Sequence, residues 1–230
     1  MSSDLAIARA FYDLKPDRND PCRRGREMFA RATSVAEFTK LNIAFLSGVL
    51  PETADHAGPP CEETDEIAED LIALNRAGFI TTFSQPFRPN QKPFVEGMVA
   101  TARVLELRAE LDRQPDFVYC VETHTGEIIS NAPFTVPWGS FEVTAAVFMG
   151  ITTNLHRDGN RAYFLTQYSS SRSMFQEHSF MWIAARNYGF RTTDFPAPNV
   201  LAILTRTPAQ TTTVGCSFSN KQVIKNCLIQ

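Results

Sequence analysis

The sequence lacks the features by which small chains are stapled together. Its five cysteines (Cys22, Cys61, Cys120, Cys216 and Cys227) are odd in number, and no two are spaced C-x-x-C. That argues against a disulfide framework and against a structural zinc site. No Asn-x-Ser/Thr acceptor occurs. Met1 to Leu14 carries Asp4, Arg9 and Asp13 where a signal peptide would have an apolar core. No run of about 18 apolar residues is present, so no membrane-spanning helix is expected. The least charged stretch, 128–156, is broken by Pro133, Pro137, Gly139, Glu142 and Gly150. An excess of basic charge is missing too. The formal net charge is −3, which gives none of the footprint of a nucleic-acid binder. The expectation is a cytoplasmic chain with reduced thiols, without nucleic acid, membrane or cofactor as partner.

What the chain does have is apolar mass. Hydrophobic residues make up 43% of it and Phe occurs 18 times. A chain of this length buries roughly 70% of its unfolded surface, enough to fold without staples. No low-complexity linker divides it. One domain over residues 1–230 is expected, with 1–50 a helical N-terminal part and 51–230 an α/β core. The fold class is α/β or α+β, with a mixed sheet of five to seven strands and packed helices.

Local signals support this. Ser34 followed by Glu37 is a capping box opening a helix that Gly48 and Pro51 close. Thr64 is a good N-cap for a helix whose Ile67, Leu71 and Leu74 form one stripe. Gly78 ends that helix, and F-I-T-T-F-S-Q at 79–85 then alternates as a strand until Pro86. A long helix is expected from Val95 to Gln114, and a strand from Phe117 to Glu122. The turn T-H-T-G-E then leads into a second strand, Glu127 to Asn131, as an antiparallel hairpin. Further strands are read at Ser140 to Phe148, Ala162 to Gln167 and Asn199 to Arg206, the last buried on both faces. Residues 72–86 and 183–196 share a Gly-Phe-x-Thr-Thr pattern. It reads either as a duplicated αβ unit or as a coincidence of ordinary cap and strand residues.

The segment L-I-A-L-N-R-A-G-F-I-T-T-F-S-Q-P, Leu71 to Pro86, resembles the signature of a domain of unknown function common in actinobacteria. The loop H-A-G-P-P-C-E-E (His56 to Glu63) and the element Val95-Glu96-Gly97 match the same family on either side. The likeness covers about residues 40–110. It implies a fold relation and no reaction, and it singles out Asn75, Thr82, Ser84, Gln85 and Glu96.

Ser84 and Gln85 stand where a strand gives way to a loop, a favoured place for ligands in open α/β sheets. Both side chains donate and accept hydrogen bonds. Their other reading is ordinary turn chemistry. Glu96 is expected in the first turn of the helix that follows, as a capping carboxylate or a substrate contact. With His56, Asn75 and Thr82, these residues form a candidate substrate-binding set, and Glu96 and His124 are the candidate acid–base groups. Ser84 has no G-x-S-x-G elbow around it. Cys61 near His56 could be a nucleophile, against an acidic loop that is simply solvated. Cys120 reads as a buried small hydrophobe.

No histidine pair has metal-ligand spacing, so a metal would need His124, His156, Asp158 and Glu122 gathered from afar. Arg161, Tyr168, Arg172, Arg186 and Arg191, with the serines of 169–173, could hold a phosphate at a helix starting near Ser173. Two functions stay open. One is an enzyme, a hydrolase or transferase acting on a small polar or nucleotide-like ligand. The other is a non-catalytic domain that binds a protein partner.

Overall fold

The computed structural model describes residues 3–86, 93–131, 135–138, 141–144, 160–185 and 196–205. Three helices lead: α1 (Ser3–Tyr12), α2 (Arg23–Ala30) and α3 (Val35–Leu46). Ser34 is extended, and its Oγ accepts the Glu37 N–H at 3.2 Å. Glu37 reaches back to the Thr33 N–H and hydroxyl, both at 2.8 Å, so the capping box closes one residue early. Gly48, at φ +72°, turns the chain out of α3.

A single turn α4 (Glu62–Asp65) precedes α5 (Ala68–Arg76), and Gly78 at φ +91° passes the chain into β1 (Phe79–Gln85). Then come β2 (Phe94–Ala100), α6 (Thr101–Leu111), β3 (Phe117–Glu122) and β4 (Ile128–Ser130). The expected β3–β4 hairpin forms, and Gly126 at φ +86° makes its turn. A separate antiparallel pair joins β5 (Thr135–Trp138) to β6 (Phe141–Thr144). Helix α7 (Asn160–Gln167) and a 3-10 helix (Ser169–Phe175) lead to β7 (His178–Ala185), followed by α8 (Ala197–Thr205).

The sheet has five strands in the order β1-β2-β7-β3-β4. Every one of its pairings is antiparallel, so the domain is α+β in kind, and the mixed pairing expected is not found among the described strands. Its central strand β7 is buried along nearly its whole length because helices cover both faces. On one face Leu71, Leu74, Val104, Leu107, Val200 and Ile203 pack on Val99, Met181 and Ile183. On the other, Phe29, Phe38, Phe164, Tyr168 and Phe175 pack on Ile80, Met98 and Phe180. Here Phe38 meets Phe29, Tyr168 and Phe175 edge-on at 4.9 to 5.0 Å, the geometry aromatic quadrupoles favour.

Several expectations are corrected. The helix read over Val95 to Gln114 splits: residues 94–100 are strand β2 and only Thr101–Leu111 is helical. A strand buried on both faces has no period-2 signal, so its apolar run passed for part of a helix. Ala162 to Gln167 lies in helix α7 and Asn199 to Thr205 in helix α8, where strands were expected. Phe164, Leu165 and Tyr168 are buried in α7 and the turn after it, and Val200, Ile203 and Leu204 in α8, at helical spacing. Thr64 lies inside α4, while Cys61 and Ile67 stand at the N-caps of α4 and α5. The segment near Ser173 is 3-10 and begins at Ser169. Residues 72–76 are helical but 183–185 are strand, which removes the duplicated αβ unit. Arg186, Arg191, His156 and Asp158, and the second copy of the Gly-Phe-x-Thr-Thr pattern at 189–193, lie outside the described residues.

Candidate functional site

The site begins with an irregularity in the β1–β2 ladder. Thr81 pairs with Gly97 and Phe83 with Glu96, which leaves Thr82 as an extra residue in a β-bulge. The bulge needs Gly97. A Cβ there would come within 2.2 Å of the Ile80 carbonyl oxygen and 2.8 Å of the Phe79 ring. With the two backbones this close, the Thr82 hydroxyl donates to Glu96 Oε1 at 3.3 Å. Glu96 is therefore a mid-strand residue and not the helix-capping carboxylate expected from the sequence.

The loop 51–61 forms the facing wall. Glu52 accepts the Gly25 N–H at 2.9 Å and pairs with Arg24 at 3.3 Å. Gly25 lets α2 close onto the loop, since a Cβ would meet the Thr53 carbonyl oxygen at 2.0 Å. Thr53 and His56 form a turn: the Thr53 N–H donates to the His56 carbonyl at 2.9 Å, and the His56 N–H to Thr53 Oγ1 at 3.1 Å. The Thr53 hydroxyl and the Tyr168 phenol both donate to Asp55 Oδ1, at 2.8 and 2.9 Å. This ties the loop to α7. His56 Nε2 lies 3.0 Å from the Pro59 carbonyl, which can only accept, so that nitrogen carries the proton.

Between bulge and loop lies a cavity of about 300 Å³. Its polar lining includes Asp55, His56, Glu63, Thr82, Ser84 and Glu96, and its apolar lining includes Phe38, Phe45, Phe83 and Phe164. Glu96 is ringed by protein. Burial, reinforced by the negative charge of Asp55, pushes its carboxyl up to about 7, while the Thr82 hydrogen bond pulls the other way. Burial and Asp55 likewise hold the Tyr168 phenol well above its ordinary value. A carboxyl near neutrality can give or take a proton at ordinary pH, which is the property of a general acid–base group.

The structure thus gathers His56, Thr82, Ser84 and Glu96 around one space. Asn75 does not line it. It is 1% exposed, and its amide accepts from Asn42 at 2.9 Å and donates to the Leu71 carbonyl and Thr81 Oγ1 at 2.8 and 2.7 Å. Asn42 also donates to the Thr81 carbonyl at 2.8 Å, so the pair locks α3, α5 and β1 together. Among the described residues Gln85 donates to the Pro86 carbonyl, at 3.5 Å, and it is not part of the cavity's lining.

His124 lies elsewhere, in a shallow depression with Arg161, Arg172 and the serines of the 3-10 helix. Arg161 there is spent on structure: it donates to the carbonyls of His178 and Phe175 at 2.8 and 3.0 Å. Cys61 is an exposed thiol at the cavity's edge. Cys120 is enclosed, with its thiol pushed up to about 12 by burial. Among the described residues no three His, Cys, Asp or Glu side chains are grouped to hold a metal. None of their helices is long and apolar enough to cross a membrane.

Sequence reasoning missed Asp55, although it adjoins His56 and the Thr53–Asp55 spacing is that of a side-chain turn. It placed Tyr168 in a phosphate site, whereas the phenol faces this cavity.

Fold and site define an α+β domain with a partly open acidic cavity on one face of its sheet. The chain belongs to the family described as a domain of unknown function (DUF6919), whose model matches residues 24–174. That span contains the bulge, the loop and, apart from Phe180, the described lining of the cavity. The chain is also similar to methylenetetrahydrofolate reductase 1 of Schizosaccharomyces pombe, 29% identical over 105 residues. The match covers 36% of this chain and 17% of the reductase, so the chain spans about a sixth of that enzyme's length.

Proposed function

We propose that this is a small-molecule-binding domain whose ligand occupies the cavity above Glu96. The observation that carries the reading is the convergence of His56, Thr82, Ser84 and Glu96, from two separate segments of the chain and the strand between them, on one space of about 300 Å³. That volume stands at the small end of ligand pockets. Apolar rings supply most of the enclosure, and a few convergent polar groups supply orientation, which is how ligand sites are built. The reading of a hydrolase or transferase rests on the same place. Glu96, held near neutrality, is the group to move a proton, with Ser84 and Thr82 orienting the substrate. His124 has no part in it.

The alternative, a domain that docks protein partners, has less support. Large exposed hydrophobics among the described residues are spread over α1, β1, α6 and β4 and do not form one face.

The test is a thermal-shift screen of nucleotides, sugars, amines and carboxylic acids on the wild type and on Ser84→Ala and Glu96→Gln. A ligand present at 100 times its Kd stabilises by about 2.7 kcal/mol, which a melting curve resolves. A hit in the wild type that both variants weaken is expected. Hits that neither variant weakens would move the site elsewhere.

A further inference from the structure

If the cavity holds a small molecule, as just argued, its lining also states the charge of that molecule. Three carboxylate residues line it: Asp55, Glu63 and Glu96. No Lys or Arg is among its described lining residues. The nearest arginines of the N-terminal part are engaged behind the loop. Arg24 pairs with Glu52, and Arg26 pairs with Asp20 and donates to the Ala54 carbonyl at 2.9 Å. His56 donates from Nε2 to the Pro59 carbonyl at 3.0 Å. The charge acting on Glu96 is therefore the negative charge of Asp55.

Three of the lining hydroxyls are already engaged with these carboxylates, those of Thr53 and Tyr168 donating to Asp55 and that of Thr82 to Glu96. An anion placed here would meet like charge on two walls in a poorly hydrated space, where such repulsion is strong. A bare metal ion is not favoured either, since no three ligating side chains are grouped for one among the described residues. The wall also carries aromatic rings, among them Phe38, Phe45, Phe83, Phe164 and Tyr168. Ring faces attract cations as well as apolar groups.

We propose that the ligand is an organic cation with N–H donors, an amine or guanidine on a small apolar body, held between Glu96 and Asp55 against the aromatic wall. Its arrival stabilises the ionised form of Glu96. A carboxyl that is largely protonated below neutrality thus gives up its proton on binding.

The experiment is NMR titration of the full chain with a panel of alkyl and aryl amines, each matched by its alcohol and its carboxylate. The amides of Thr82, Ser84 and Glu96 and the Glu96 side-chain carbon are followed, and calorimetry in two buffers of different ionisation enthalpy counts protons. Amines should perturb those signals and release a proton near pH 6. Their affinity should rise about tenfold or more from about pH 5.5 to about pH 8, the range over which Glu96 ionises. Glu96→Gln should abolish both the proton release and the pH dependence while remaining folded.

If alcohols or carboxylates perturb the same amides and amines do not, the cavity is a ligand site and the inferred charge is wrong. If no member of the panel perturbs them, the cavity reading falls and this inference with it. If amines bind with neither proton release nor sensitivity to Glu96→Gln, the assignment of Glu96 as the cation's partner is overturned.

Discussion

The Thr82 hydroxyl and the Glu96 carboxylate are joined across a β-bulge at 3.3 Å, and this contact opposes the burial that raises the carboxyl. Burial and Asp55 disfavour the charged carboxyl, and Thr82 is the group that favours it. Thr82→Val keeps the shape and removes the donor. The Glu96 carboxyl should then titrate still higher, as followed by NMR of the side-chain carbon. A fall toward the ordinary glutamate value would show that Thr82 does not stabilise the ionised form.

The same carboxyl should leave a mark on stability. Its value in the folded chain, about 7, is raised above the ordinary 4.5, so the folded state holds the proton more tightly than the unfolded chain. The stability this contributes is complete below about pH 4.5, declines as pH rises, and is gone above about pH 7. Glu96→Gln cannot ionise. The difference in unfolding free energy between the variant and the wild type should therefore grow in the variant's favour across that window, by at most about 3 kcal/mol. Paired urea melts at several pH values check this, and a difference independent of pH would refute it.

Gly97 is predicted to be intolerant of any side chain. Gly97→Ala forces a methyl group against the Ile80 carbonyl and the Phe79 ring, where less than 3 Å is available. Overpacking of this kind costs about 1–3 kcal/mol, or a Tm lower by roughly 2–12 °C for a chain of this size. Because it distorts the bulge, the Thr82–Glu96 contact and ligand binding should be lost with it. Normal binding in Gly97→Ala would mean that the bulge does not position the site.

Asn75 separates fold from function. Asn75→Ala leaves the Thr81 hydroxyl and the Asn42 amide short of a partner in a dry interior, at about 2–3 kcal/mol. Unfolding measurements should show that loss, while ligand affinity of the folded fraction stays as in the wild type. A selective loss of affinity at full stability would restore the substrate-binding role read from the sequence.

The contrast between Asn75 and Glu96 shows what the sequence made legible. The helix–Gly–strand unit through Gly78, the Ser34 cap and the Gly126 hairpin are written in local chemistry, and each forms as read. Thr82, Ser84, His56 and Glu96, singled out in the sequence as polar residues near a strand end and a loop, line one cavity. What local reading cannot see is burial on two sides. Strand β2 has no alternation because both its faces are covered, and α8 is apolar enough to pass for a strand. Glu96 and His124, the two candidate acid–base groups, lie in different places for a related reason. Proximity across a sheet depends on strand order, and β7 stands between β2 and β3. Asp55 went unnoticed because its partner Tyr168 lies 113 residues away.

The account rests on Glu96 being a desolvated carboxyl facing an acidic cavity, and the most direct measurement is its own titration. Chain labelled with carbon-13 at the glutamate side chain, assigned by comparison with Glu96→Gln, is followed from about pH 3 to about pH 9, a range that brackets both the ordinary and the shifted carboxyl. A midpoint near 7 that drops when an amine is added is the predicted result. A midpoint at the ordinary value near 4.5, unmoved by amines, would contradict the account.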